Sequence, residues 1–192
     1  MKSDDEIFKS FVAKIKADSP LTPASLNLLQ LNGFSILEKG DGYRISYCWE
    51  LQSGLYLFSL YNSYRLHNID PAAQKPRYKS FKYLYCFLTL TTDLPDTIIR
   101  PNTLGEKLAN LVTHSHTRIP HNSKFNSRYL LESTAPDVVI SKLTDELLLH
   151  IENFEELYLE IRDKRCLLLH LRPANYDDSI QLIEISKRLL AI

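Results

Sequence analysis

The sequence predicts an α+β protein, an antiparallel sheet with helices packed mainly on one face, and two observations carry that expectation. Runs dense in aromatic and β-branched residues fill residues 34–92 and return at 157–171, the composition and period of strands. Apolar residues recur at helical spacing near both ends of the chain and again around residues 136–154, the mark of helices with one buried stripe. Strand, helix, hairpin and helix in that order is an arrangement in which helices cover an antiparallel sheet.

At the start, Ile7, Phe8, Phe11, Val12 and Ile15 form one helical stripe, with Lys9, Lys14 and Lys16 off it, so residues 4–17 read as an amphipathic helix. Thr22 suits an N-cap, Pro23 a first helical position and Gly33 a C-terminal stop, which predicts a second short helix between them. Gly40-Asp41-Gly42 separates two strand-like runs as a hairpin turn would. Residues 53–66 and 78–92 add two more runs, giving four, and the proline-bearing link 67–78 is the expected mobile loop. The period then changes. Thr103 and Glu106 form a capping box ahead of a helix ending near Thr113. Residues 127–133 read as a strand, 135–154 as one helix, 156–172 as a hairpin turning at Asp163 and Lys164, and 177–192 as a closing helix. In the hairpin, Leu157, Leu159 and Ile161 alternate with Glu156, Tyr158 and Glu160, the pattern of a strand with one wet face.

The 192 residues fit a single domain, 1–192, with halves at 1–92 (two helices plus aromatic-rich strands) and 93–192 (helix, strand, helix, hairpin, helix). Composition is that of a globular protein, 44% hydrophobic and 24% charged. Cys48, Cys86 and Cys166 are odd in number, widely spaced and set in apolar runs, as expected of reduced thiols in strands. The acidic start and the lack of a long uncharged apolar run point to a cytoplasmic location without membrane insertion.

Three stretches could carry chemistry. His114, His116 and His121 are close in sequence; two residues apart on an extended chain, the first two imidazoles would be about 7 Å apart at Cα and could grip one ion. Arg118 and Lys124 flank them, and no Asp or Glu falls between Lys107 and Glu132, so a polar loop is expected and no metal site is assigned. Cys166 and His170 share a strand face but stand about 13 Å apart, too far for one ion or a thiolate–imidazole pair. In the third stretch, Lys75, Arg77, Lys79 and Lys82 interleave with Tyr78, Phe81, Tyr83 and Tyr85. Cations for phosphates and rings for bases make it the best nucleic-acid signature in the chain. The formal net charge of zero argues against that use, because no basic field supports it. Carboxylate pairs at Glu155–Glu156 and Asp177–Asp178 sit at element starts, where capping accounts for them. Nucleophile elbows and phosphate-cradling glycine loops are missing, and there are only five glycines.

Leu94-Pro95, Arg100-Pro101, Phe125-x-x-Arg128-Tyr129, the helix that follows and the Leu-rich hairpin together resemble a bacterial domain family of unknown function. The likeness covers roughly the last half of the chain. It implies the α+β arrangement; the family's members often follow predicted membrane helices, and none of its residues has an assigned activity or cofactor. Arg100 and Arg128 are expected to pair with a carboxylate on a neighbouring element.

The expectation is a bacterial, cytoplasmic, non-enzymatic interaction or accessory domain without catalytic residues or cofactor, acting on a protein partner or by self-association. Its alternatives are a metal-dependent enzyme using the 114–121 histidine loop and a single-stranded nucleic-acid binder using Lys75, Arg77, Tyr78, Lys79 and Lys82.

Overall fold

The computed structural model describes residues 4–18, 21–38, 43–66, 77–103, 117–172 and 175–192. In chain order these form α1 (Asp4–Asp18), β1 (Thr22–Pro23), a 3-10 turn (Leu28–Leu31), α2 (Ser35–Glu38), β2 (Tyr43–Gln52), β3 (Leu55–Leu66), β4 (Arg77–Thr89) and β5 (Thr97–Pro101). They continue with α3 (Ser123–Arg128), β6 (Tyr129–Ser133), α4 (Pro136–Lys142), α5 (Asp145–Asn153), β7 (Leu157–Arg162), β8 (Arg165–His170) and α6 (Tyr176–Leu190). The strands make one eight-stranded sheet in the order β1-β2-β3-β4-β8-β7-β5-β6, and every pairing is antiparallel. The two halves of the chain meet where β4 pairs β8 over Tyr85–Thr89.

Period-two patterning buries both faces of the sheet's centre. On one face Trp49, Leu55, Leu57, Leu84, Cys86, Leu88, Leu159, Cys166 and Leu168 pack with Val12 and Ile15 of α1, Leu147 and Ile151 of α5, and Leu182, Ile183, Ile185 and Leu189 of α6. The longer helices therefore lie on one side, the arrangement expected. Ser179 and Ser186 are buried on α6, and side chains this small let a helix approach a sheet closely. The other face, with Phe58, Leu60, Tyr85, Phe87, Tyr158, Leu167 and Leu169, is covered by Leu26, Leu31, Phe34 and Leu37. Each such side chain contributes about 1.5–3 kcal/mol on burial.

That second cover explains most departures from the sequence reading. Thr22 and Pro23 begin no helix; they pair with Glu50 and Trp49 as a strand, since an edge strand also tolerates a proline. Only the 3-10 turn follows, though Gly33 does end it, at φ +87°. The run after Phe34 is helical rather than extended, so the meander has three strands, and its first hairpin turns at Gly54, φ +80°; residues 39–42 lie outside the described residues. β7 has no wet face: Tyr158 and Glu160 are as buried as Leu157 and Leu159. The helix expected over 135–154 is two, because Thr144 caps α5, its side chain accepting from the Leu147 N–H at 3.2 Å. β5 and α3 were not anticipated. The expected hairpin is present, Asp163 and Lys164 turning at φ +47° and +64°, as is the closing helix. The link at 67–76 and the helix expected after Thr103 lie outside the described residues. No described helix is long and apolar enough to cross a membrane.

Candidate functional site

A groove lies between α1 and β2, and each wall follows from a local periodicity. Lys9, Val12, Ala13 and Lys16 are spaced i, i+3, i+4, i+7, one face of a helix. Tyr47 and Trp49, two apart on a strand, share a sheet face. Trp49 is held by its pairing with Pro23 and Leu57, and Ala24 N–H donates to the Cys48 carbonyl beside it at 3.1 Å. The two rings are parallel, centroids 5.6 Å apart at an interplanar angle of 2°. Together these residues enclose about 280 Å³, slightly below the ~300 Å³ at the lower end of small-molecule sites. Such a volume takes one ring and a charged group rather than a whole cofactor. Val12 and Trp49 are buried, Tyr47 is half-buried, and Lys9 and Lys16 are exposed at the rim. The arrangement offers an aromatic wall with lysines among the lining residues, which suits an anion bearing an apolar or planar body.

The other polar clusters are structural or enclosed. Glu160, fully buried on β7, accepts the Ser35 N–H on both carboxylate oxygens at 3.0 Å. It also accepts the Ser35 hydroxyl at 3.0 Å, the Tyr158 hydroxyl at 2.9 Å and Arg162 Nε at 3.0 Å. Arg162 continues to Asp96 at 2.8 Å. Burial and the neighbouring carboxylate push the Tyr158 phenol up. Every acceptor position on Glu160 is occupied, so the cluster pins α2 to the sheet and has no proton or lone pair to offer a substrate.

At the far end of β8, His170 is 5% exposed and packs edge-on against Phe154, centroids 5.2 Å apart. Its Nδ1 lies 3.0 Å from Asp178 Oδ2, but the approach is out of line, and neither ring nitrogen makes a hydrogen bond. Burial holds its pKa below the usual histidine value against the upward pull of Asp178. Arg172 grips Glu156 at 2.8 and 2.9 Å and Glu155 at 3.3 Å nearby, and the guanidinium holds Glu156 below the usual carboxylate range.

The residues singled out by sequence are dispersed. His121 is exposed in a turn at φ +60°, while His114 and His116 lie outside the described residues. Among the described residues no group of three His, Cys, Asp or Glu is placed to hold a metal ion. Cys166 and His170 do share a face of β8, at opposite ends. None of the three cysteines is in a disulfide. Burial pushes Cys48 up to about 11 and Cys86 to about 12, and raises Cys166 well above an ordinary thiol, so none is a ready nucleophile. Arg77, Tyr78, Lys79 and Lys82 fall on β4, and Lys75 lies outside the described residues. Arg100 pairs with Glu132 across β5 and β6 at 2.7 Å, as anticipated, whereas Arg128 donates to the Glu152 carbonyl at 2.9 Å rather than to a carboxylate. Sequence reasoning missed Tyr47, Trp49, Lys9 and Lys16 as a set; each spacing was visible, but nothing local joins α1 to β2. Comparison with family models, curated proteins and solved structures returns no match.

Proposed function

We propose that this chain is a non-enzymatic binding domain and that the α1–β2 groove is its contact surface, taking an anion that carries an apolar or planar group. The single observation behind this reading is the stacked Tyr47–Trp49 pair facing a helix stripe bounded by Lys9 and Lys16. Support also comes from the fate of the reactive groups, since Cys86, Cys166, His170 and Glu160 are buried and none lines that groove, and Cys48, half-buried between Tyr47 and Trp49 on β2, does not line it either. Catalysis needs a nucleophile and a base that converge on space for a substrate; among the described residues the groove offers neither.

Trp49 is the only tryptophan, so its emission reports on the groove alone. Phenyl phosphate should quench it saturably, and inorganic phosphate and benzyl alcohol, each with half of the required chemistry, should not. Lys16→Glu should abolish the quench while leaving thermal stability within about 0.5 kcal/mol of the parent, as for an ordinary surface change. A flat titration with phenyl phosphate would remove the reading.

A further inference from the structure

We infer that the groove receives an extended acidic segment of a partner protein, one aromatic side chain entering between α1 and β2 and a carboxylate to either side of it; the inference rests on the groove reading and gives its anion an identity. The anatomy is that of a protein contact. Of the lining residues, Val12 and Trp49 are buried, while Lys9, Ala13 and Lys16 are exposed. An apolar centre inside a polar rim is how protein interfaces are built, and Trp and Tyr are among the residues that carry most of their energy. The enclosed volume of about 280 Å³ admits one ring, which the parallel faces of Tyr47 and Trp49 can meet offset or edge-on. A helix, ~10 Å across, needs a wider cleft. A nucleic-acid strand needs a run of phosphate contacts, and two lysines on a chain of zero net charge supply too few.

The two lysines set the spacing. Seven residues apart on α1, Lys9 and Lys16 are about 10.5 Å apart along the helix axis at ~1.5 Å per residue, with Val12 and Ala13 between them. On an extended chain, positions i, i+2 and i+4 share one side, so Glu-x-Phe-x-Glu presents its ring and both carboxylates together, the outer two about 14 Å apart at ~3.4 Å per residue. The difference of ~3 Å is within reach of the flexible lysine stems. With both acids on one side of the ring, only one lysine is met. This chain contains the pattern itself, at Glu152, Phe154 and Glu156 and at Glu156, Tyr158 and Glu160. Phe154 and Tyr158 are both buried, so a second folded copy cannot dock this way and the partner is a different chain.

The test uses the full chain, Trp49 emission and end-blocked peptides that contain no tryptophan of their own. Glu-Ser-Phe-Ser-Glu should change the emission saturably and bind about two- to fivefold tighter than Ser-Ser-Phe-Glu-Glu, its isomer of equal charge with the same ring, the difference being one further exposed ion pair. Glu-Ser-Ser-Ser-Glu, which lacks the ring, should not bind. In Lys9→Gln the preference for the flanked isomer should vanish. That preference is first read on the unmodified chain, so it decides the matter even if the variant fails to fold. Equal affinity for the two isomers, with phenyl phosphate still bound, would overturn the acidic segment and leave the groove. Tighter binding of an oligothymidylate of about eight nucleotides would overturn a protein as the partner. Silence toward phenyl phosphate and the peptides alike would remove both readings.

Discussion

Glu160 is the side chain whose replacement tests most directly how the second face of the sheet is held. Its oxygen Oε1 accepts the Ser35 N–H and Arg162 Nε, and Oε2 accepts the Ser35 N–H and two hydroxyls. In Glu160→Gln the amide can keep its oxygen toward Arg162, which can only donate, and turn its NH₂ toward the hydroxyls of Ser35 and Tyr158, which can rotate to accept. What is lost is the charge assistance, about 1–1.5 kcal/mol. In Glu160→Leu the two hydroxyls still have each other at 3.0 Å and Arg162 still has Asp96. The Ser35 N–H is left without its partner in a partly buried setting, at about 1–3 kcal/mol, and the charge-assisted bonds go too, so the expected loss is about 2–4 kcal/mol. Thermal unfolding at neutral pH should give wild type above Gln above Leu, with midpoint temperatures falling ~2–4 °C per kcal/mol. Glu132→Gln, in the half-exposed Arg100 pair, is the control and should cost no more than about 1 kcal/mol. A leucine variant as stable as the parent would refute the reasoning. It would mean that Leu26, Leu31, Phe34 and Leu37 hold that face by apolar contact alone and that the buried charge is a burden.

His170 should make the protein acid-sensitive: its folded pKa is lowered by burial, so the unfolded chain takes up the proton first and stability falls as pH drops from about 6.5, by at most ~1.4 kcal/mol per pH unit. His170→Leu should flatten that slope between pH 6.5 and 5 in a denaturation series, whereas the contribution of Glu156, lowered by Arg172, is lost only as pH falls below the ordinary glutamate value of about 4.5. Lys164→Gly should stabilise the β7–β8 hairpin by roughly 0.5 kcal/mol, relief of a positive-φ side chain at ~1–2 kcal/mol less the entropy glycine loses; a loss of stability on thermal melting would count against the strain. A thiol reagent at pH 8 should label Cys48 slowly, its thiolate fraction being about a hundredfold below that of an ordinary thiol, and Cys86 and Cys166 only on unfolding; a fast single-site reaction would reopen the case for a nucleophile.

What the sequence disclosed and what it withheld divide along the range of the forces involved. α1, α6 and the β7–β8 hairpin were legible because their patterns are local and their stripes face one partner. The hairpin turn was readable even though neither Asp163 nor Lys164 is glycine, since the alternation on both sides left nowhere else to turn. Residues 22–38 misled because Thr22, Pro23 and Gly33 are helix punctuation only if what lies between can be helical. Their conformation is set instead by Glu160, 125 residues from Ser35, and by pairing with β2. The same remote contact made Glu160 look like a solvent-facing residue. Thr144 with Asp145 and Glu146 after it was a readable cap, overlooked because Leu143 and Leu147 continued the stripe. The groove joins residues 9–16 to 47–49, two patterns each ordinary alone.

The β3–β4 ribbon carries an open edge. β8 pairs β4 only over Tyr85–Thr89, and among the described residues no strand pairs with residues 77–84 on the side away from β3. An edge of that kind invites association with another chain, and lysines are a common guard against it. A guard works by being charged and hydrated, so Lys82→Glu should leave the protein as monodisperse as before, whereas Lys82→Val, which makes that stretch apolar and β-prone, should bring concentration-dependent association in sedimentation. A valine variant that stays monodisperse would show that the charge at this position guards nothing.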